Sequence, residues 1–240
     1  MGCATSTYGN HEALLQAYSV STGFEPYSAP YLLRMIKERA SAKLLLPSHF
    51  YSLRLALSLN SRDSDRILLS RLYEPLWRTS EDYKARLETT CPRLALSLCE
   101  TVTAMEVDDL LVMGILLSSS NPTEKAMCLF EVYDEGCSGV LEVNAIRALL
   151  EQLFDLAVDR LPGLLRPEKK SEELGKYVMK SMETRTKAVA TALQIVLKTS
   201  LSVTLQGFIA RFALFRSGCL TSPSGLRHFA HNLPSVPTPS

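Results

Sequence analysis

Leu129-Phe-Glu-Val-Tyr-Asp-Glu-Gly-Cys-Ser-Gly-Val-Leu-Glu-Val-Asn-Ala145 is the stretch on which the reading of the fold turns. Phe130, Val132 and Tyr133 read as the apolar end of a helix that runs into Asp134. Gly139 stands where the chain must turn sharply, because glycine accepts a left-handed backbone at no steric cost. Leu141 offers an apolar anchor after the turn, and helical spacing resumes from Val143. The pattern predicts a helix, a loop over 134–145 and a second helix.

Outward from the loop, Asn121-Pro122-Thr123-Glu124 is a helix start. Asn caps, Pro tolerates the first helical position, and Glu124 can reach back three residues. Residues 143–159 read as the helix leaving the loop, and 161–170, with two prolines and a glycine, as a bend. Ser171-Glu172-Glu173 opens a long helix carrying Val178, Val189, Leu193, Val196 and Leu197. A break at 199–204 precedes a helix over 205–215 with Leu205, Phe208, Ile209 and Phe212 on one stripe. Upstream, helices are expected over 11–19, after an Asn10 cap, and over 30–40. Further ones are expected around Phe50–Leu57, capped by Ser48, and over 66–77, 92–102 and 107–117. One short helix is expected around 226–230, followed by a Pro- and Ser-rich ending that reads as disordered. No long alternating β-branched run occurs, so the expected class is all-α.

The bulk composition excludes several functions. Net charge is +1 from 26 basic and 25 acidic residues, with no basic run, so no nucleic-acid partner is expected. No apolar stretch approaches the roughly 20 residues that cross a bilayer. The cysteines, at 3, 91, 99, 128, 137 and 219, include no pair at zinc-ligand spacing and read as free thiols of a reducing cytosol. No phosphate-cradling glycine loop or nucleophile elbow is present, and no catalytic residue is expected. His228 and His231 are three apart, as in some helical metal sites, but no acidic neighbour joins them and they read as surface histidines. Cys137 lies beside Asp134 and Glu135, which oppose a thiolate, so it reads as inert.

Met1-Gly2-Cys3-Ala4-Thr5-Ser6 fits the pattern for N-myristoylation of Gly2. One myristoyl chain binds membranes only marginally, so a second signal is needed, and palmitoylation of Cys3 is the natural one. The expectation is a lipid anchor on the cytoplasmic face of a membrane.

The segment around 134–145 resembles the EF-hand, with Asp134 at loop position one, Gly139 at six and Leu141 at eight. It departs in its ligands: position three is Gly136 and position twelve is Ala145, where the bidentate Glu belongs. Asp134, Ser138, the Val140 carbonyl and Glu142 remain as oxygen donors for calcium, so the resemblance implies a scaffold that has lost most of its metal. No cofactor is expected. In paired EF-hands the two position-eight residues meet in a small antiparallel bridge. Taking Phe208 as the first core residue after a second loop puts Val203 opposite Leu141 and assigns Val196–Gly207 to that loop, which contains no carboxylate.

Helix pairs over about 11–58 and 62–120 would complete up to four hands. The expected organisation is an acylated flexible segment 1–10, a helical lobe 11–120, an EF-hand-like lobe 121–217 and a tail 218–240, largely disordered from 232. With the Gly2 signal, this layout is similar to the calcineurin B-like and neuronal calcium sensor proteins. That resemblance implies an adaptor or regulatory subunit without catalysis, which takes an amphipathic partner helix in a hydrophobic groove. The groove is expected to use Leu110, Met113, Leu117, Leu149, Leu153, Phe154, Phe208 and Phe212. With so few ligands left, the groove is expected to form without calcium. Two alternatives stand beside it, a weak or atypical calcium sensor and a helical scaffold without EF-hand ancestry.

Overall fold

The computed structural model describes residues 11–17, 22–40, 43–57, 73, 76–79, 88–89, 103–164 and 171–233. These are mostly helical, with two small antiparallel sheets. The expected Asn10 cap, the helix over 92–102, most of that over 66–77, Gly2, Cys3 and the ending from Pro234 lie outside the described residues.

The chain divides into two compact units, Thr22–Ser119 and Met1–Ser21 together with Ser120–Ser240. In the first unit, α1 (Ala29–Lys37) buries Ala29, Leu32, Leu33 and Ile36 and packs on α3 (Val107–Leu117). Every residue of α3 except Asp108 and Asp109 is buried, as expected of a helix that is apolar all round. Helix α2 (Pro47–Ala56) starts at its proline, with Leu46 at the cap position. Ser48 therefore lies inside the first turn and is not the cap.

The helical content agrees with the expected all-α class, and this unit adds one small sheet that the sequence reading did not include. Strands β1 (Leu44–Leu45), β2 (Trp77–Thr79) and β3 (Thr103–Glu106) form an antiparallel sheet in the order β1-β3-β2. Strands of two to four residues are too short for alternation to register in the sequence.

The second unit holds the quoted segment. Asn121 Oδ1 accepts a hydrogen bond from Glu124 N at 2.9 Å and caps α4 (Pro122–Tyr133). Strand β4 (Val140–Glu142) and α5 (Val143–Asp155) follow, and α5 continues as a π-turn over Leu156–Arg160 into α6 (Leu161–Gly163). Ser171 Oγ accepts from Leu174 N at 3.1 Å and opens α7 (Glu172–Glu183).

The long helix expected from Ser171 is two helices, because α7 ends at Thr184 and α8 (Arg185–Leu197) begins beyond it. The Thr184 hydroxyl donates to Ala230 O at 2.7 Å and lies 3.0 Å from Lys180 O, a competition with the helix's own bonding that bends it. Strand β5 (Ser202–Thr204), α9 (Leu205–Phe208), a π-turn over Ile209–Ala213 and α10 (Pro223–His231) complete the unit.

Two boundaries differ from the sequence expectation. Residues 11–17 are helical but group with this unit, not with the lobe that follows them in sequence. Residues 218–233, expected as a tail, are a packed part of it: Leu220, Leu226 and Ala230 are fully buried.

Candidate functional site

Strands β4 and β5 pair antiparallel with Leu141 opposite Val203, the register that the spacing predicts. Both residues are buried, while Val140 and Glu142 face solvent. Val143 N donates to Leu201 O at 2.9 Å and Leu205 N to Gly139 O at 3.3 Å, so the ribbon continues into both helices. Below it, Phe208 packs edge-on against Phe130 at 5.7 Å and stacks on Phe212 at 4.6 Å. The Arg211 guanidinium donates to Val196 O and Leu197 O and satisfies carbonyls at the end of α8.

The loop between α4 and β4 is tied to Asp134. Its Oδ1 accepts from Ser138 N and Ser138 Oγ, each at 2.8 Å, and its Oδ2 accepts from Gly139 N at 2.8 Å. Val140 N donates to Ser138 Oγ at 3.2 Å. Cys137 and Gly139 take left-handed backbones, φ 49° and 72°, so the loop has the sharp turn expected of Gly139. Partial desolvation acts to raise the Asp134 carboxyl, but the hydrogen bonds from Gly139 and Ser138 together outweigh it and hold it below its ordinary value.

These residues supply fewer donors than calcium ordinarily takes. The ion takes about six to eight oxygens, of which the carboxylate at position twelve normally supplies two. Asp134, Ser138 and the Val140 carbonyl come together, and the Asp134 oxygens also accept from the loop's own donors. Glu142 is exposed in β4, and Ala145 offers no side-chain oxygen. Among the described residues no group of three or more His, Cys, Asp or Glu side chains is placed to hold a metal ion.

The expected partner groove is corrected. Leu110, Met113 and Leu117 lie in α3 of the first unit, and Leu149, Leu153, Phe154, Phe208 and Phe212 lie in the second. None of the eight is more than 7% exposed. They are core residues, because helical periodicity marks an apolar face without saying whether protein already covers it.

One open apolar surface of the second unit lies elsewhere. A cleft of about 240 Å³ runs between α6 and α7, lined by Pro162, Leu174, Val178, Met179 and Met182, with Asp159 at its edge. Met179 is 56% exposed and Met182 38%. Leu174, Val178 and Met182 sit four apart along α7, so the stripe is visible in the sequence; that Leu174 is buried and Met182 exposed is not.

A buried polar cluster adjoins this face. Arg227 of α10 is 1% exposed, and its guanidinium forks onto Glu12, Nε to Oε1 at 2.9 Å and Nη2 to Oε2 at 2.7 Å. Its Nη1 donates to Ala157 O at 3.1 Å, and Tyr177 OH donates to Glu12 Oε1 at 2.6 Å. The His231 ring lies 4.6 Å from the Tyr177 ring. Burial lowers the His231 pKa, and Lys180 and His228 add to the effect against Glu12 and the Tyr177 backbone. His231 is thus a buried residue, not the surface histidine expected from the sequence. His228 is exposed.

Comparison of the chain with family models, with curated proteins and with solved structures found no match. Among the described residues no helix is long and apolar enough to cross a membrane.

Proposed function

We propose that the chain is a calcium-independent, EF-hand-like adaptor that docks a partner protein helix on the exposed face of α7. In this reading α4-loop-α5 and α8-loop-α9 are the two hands of a pair. The observation that carries it is the ribbon register, Leu141 opposite Val203, between two loops that each join a pair of helices. Calcium independence rests on the donor set: Asp134 is engaged by Ser138 and Gly139, and residues 196–207 carry no carboxylate.

Docking on α7 rests on Met179 and Met182, large flexible apolar side chains exposed beside an apolar cleft. Methionine surfaces of this kind adapt to partner helices because the thioether is polarizable and the chain unbranched. The adaptor works at a membrane, held by myristate on Gly2 and palmitate on Cys3, a reading supported by the sequence Met1-Gly2-Cys3-Ala4-Thr5-Ser6.

A photo-crosslinking residue in place of Met179, in the full chain in its native cells, tests the docking face. The expected result is an adduct with one discrete protein that is lost with Met182→Glu and unchanged by calcium chelation. No protein adduct, or one indifferent to Met182→Glu, refutes the docking face. Anchoring has its own test: Gly2→Ala should move the protein from the membrane to the soluble fraction.

A further inference from the structure

Glu12 and Leu15 lie one turn apart on the helical segment 11–17 and enter two adjoining sites on the same unit. Glu12 fills the Arg227 fork described above. Leu15, 1% exposed, packs with Leu174 and Tyr177, with Leu14 and Val178 against the same cluster. Arg227 is also held by Ala157 O, independently of Glu12, and a guanidinium this deeply buried needs an anion opposite it. The pocket is therefore a built carboxylate receptor with a leucine seat beside it.

The leucine seat and the open cleft share a wall. Leu174 belongs to the cluster that Leu15 enters and Val178 packs against it, and both also line the cleft that continues to Met179 and Met182. The described part of the segment covers one end of this apolar track and leaves the other exposed.

We propose that residues 11–17 are an internal occupant of the docking face. The partner helix would then carry the same chemistry, a carboxylate with a leucine three positions on, and displace them. This rests on the docking face proposed above and adds its recognition code and its self-occupied state. Bidentate recognition of a carboxylate by a buried guanidinium supplies the selectivity, since an amide cannot satisfy both arms of the fork.

The probe is a fluorescent peptide with the sequence of residues 9–19, followed by anisotropy against two full-length chains. One is wild type. The other carries Glu12→Gln and Leu15→Ser, which empty the site without altering Arg227, Leu174 or Tyr177. The variant should bind the peptide at least tenfold more tightly than wild type does, and a peptide with Gln for its Glu should lose at least tenfold on the variant.

Equal affinity for the two chains, indifference to the peptide's Glu, or no binding to a folded variant overturns the proposal and leaves a structural clasp only. Should the double variant fail to fold, the same peptide, unlabelled and at millimolar concentration, is added to ¹⁵N-labelled wild type. Amide resonances of 11–17 should then move toward released positions, and unmoved resonances overturn the proposal. Binding of the peptide with no partner adduct at Met179 would sink the external docking reading alone; an adduct with the peptide ignored would sink this inference alone.

Discussion

Glu12→Gln removes one negative charge from a buried cluster and keeps its shape. In the wild type Glu12 accepts three hydrogen bonds, two from Arg227 at 2.9 and 2.7 Å and one from Tyr177 OH at 2.6 Å. The amide has a single acceptor oxygen, so at least one Arg227 donor loses its partner where the side chain is 1% exposed. Hydrogen bonds to charged groups contribute about 1.5–3 kcal/mol, and breaking a buried pair outright costs about 3–5. Glu12 itself retains 21% exposure, which lets water soften the loss and places the expectation near 2 kcal/mol.

The protein need not bear that cost globally. Residues 11–17 can detach while the rest of the unit stays folded, so the effect should appear first as local opening. Hydrogen exchange read by mass spectrometry should show the amides of 11–17 exchanging about thirtyfold faster, since 1.4 kcal/mol is a factor of ten. The urea midpoint of the whole chain should move less than this implies. Unchanged exchange in 11–17 together with an unchanged midpoint would refute the assignment of Glu12 as the anchor.

Leu141→Ala should cost about 2–5 kcal/mol in urea unfolding, because Leu141 is 1% exposed and faces Val203 across the ribbon. A loss below about 1 kcal/mol would show that the ribbon is not part of the core. Lys125 is 7% exposed, and burial pushes its amine down from 10.5 to about 8. The unfolded chain therefore holds that proton more tightly, stability rises between pH 8 and 10.5, and below pH 8 the buried charge costs the fold throughout. Lys125→Met should accordingly remove this pH dependence, so that the wild type gains on the variant between pH 8 and 10. Urea midpoints at pH 8 and pH 10 check this, and an equal change in both proteins would contradict it.

Local signals were readable from the chain and distant ones were not. The Asn121-Pro122 start, the turn at Gly139 and the span of α3 rest on capping, φ and periodicity, each confined to a few neighbouring residues. The Leu141–Val203 pairing spans 62 positions, yet spacing caught it because the ribbon forces the register. Glu12 and Arg227 lie 215 positions apart, and arginine is ordinarily a surface residue, so nothing local marks this one as buried. The same limit explains the misplaced groove. Phe208 and Leu153 carry the apolar stripe of a docking face, but packing partners elsewhere in the unit already cover them.

Calorimetric titration of the full chain with calcium to millimolar concentration, beside an Asp134→Ala variant, tests most directly the claim that the loop keeps its shape without a cation. The account predicts no saturable heat in either protein, and wild-type amide resonances over 134–142 that do not move. Saturable heat in the wild type that vanishes in Asp134→Ala would contradict it.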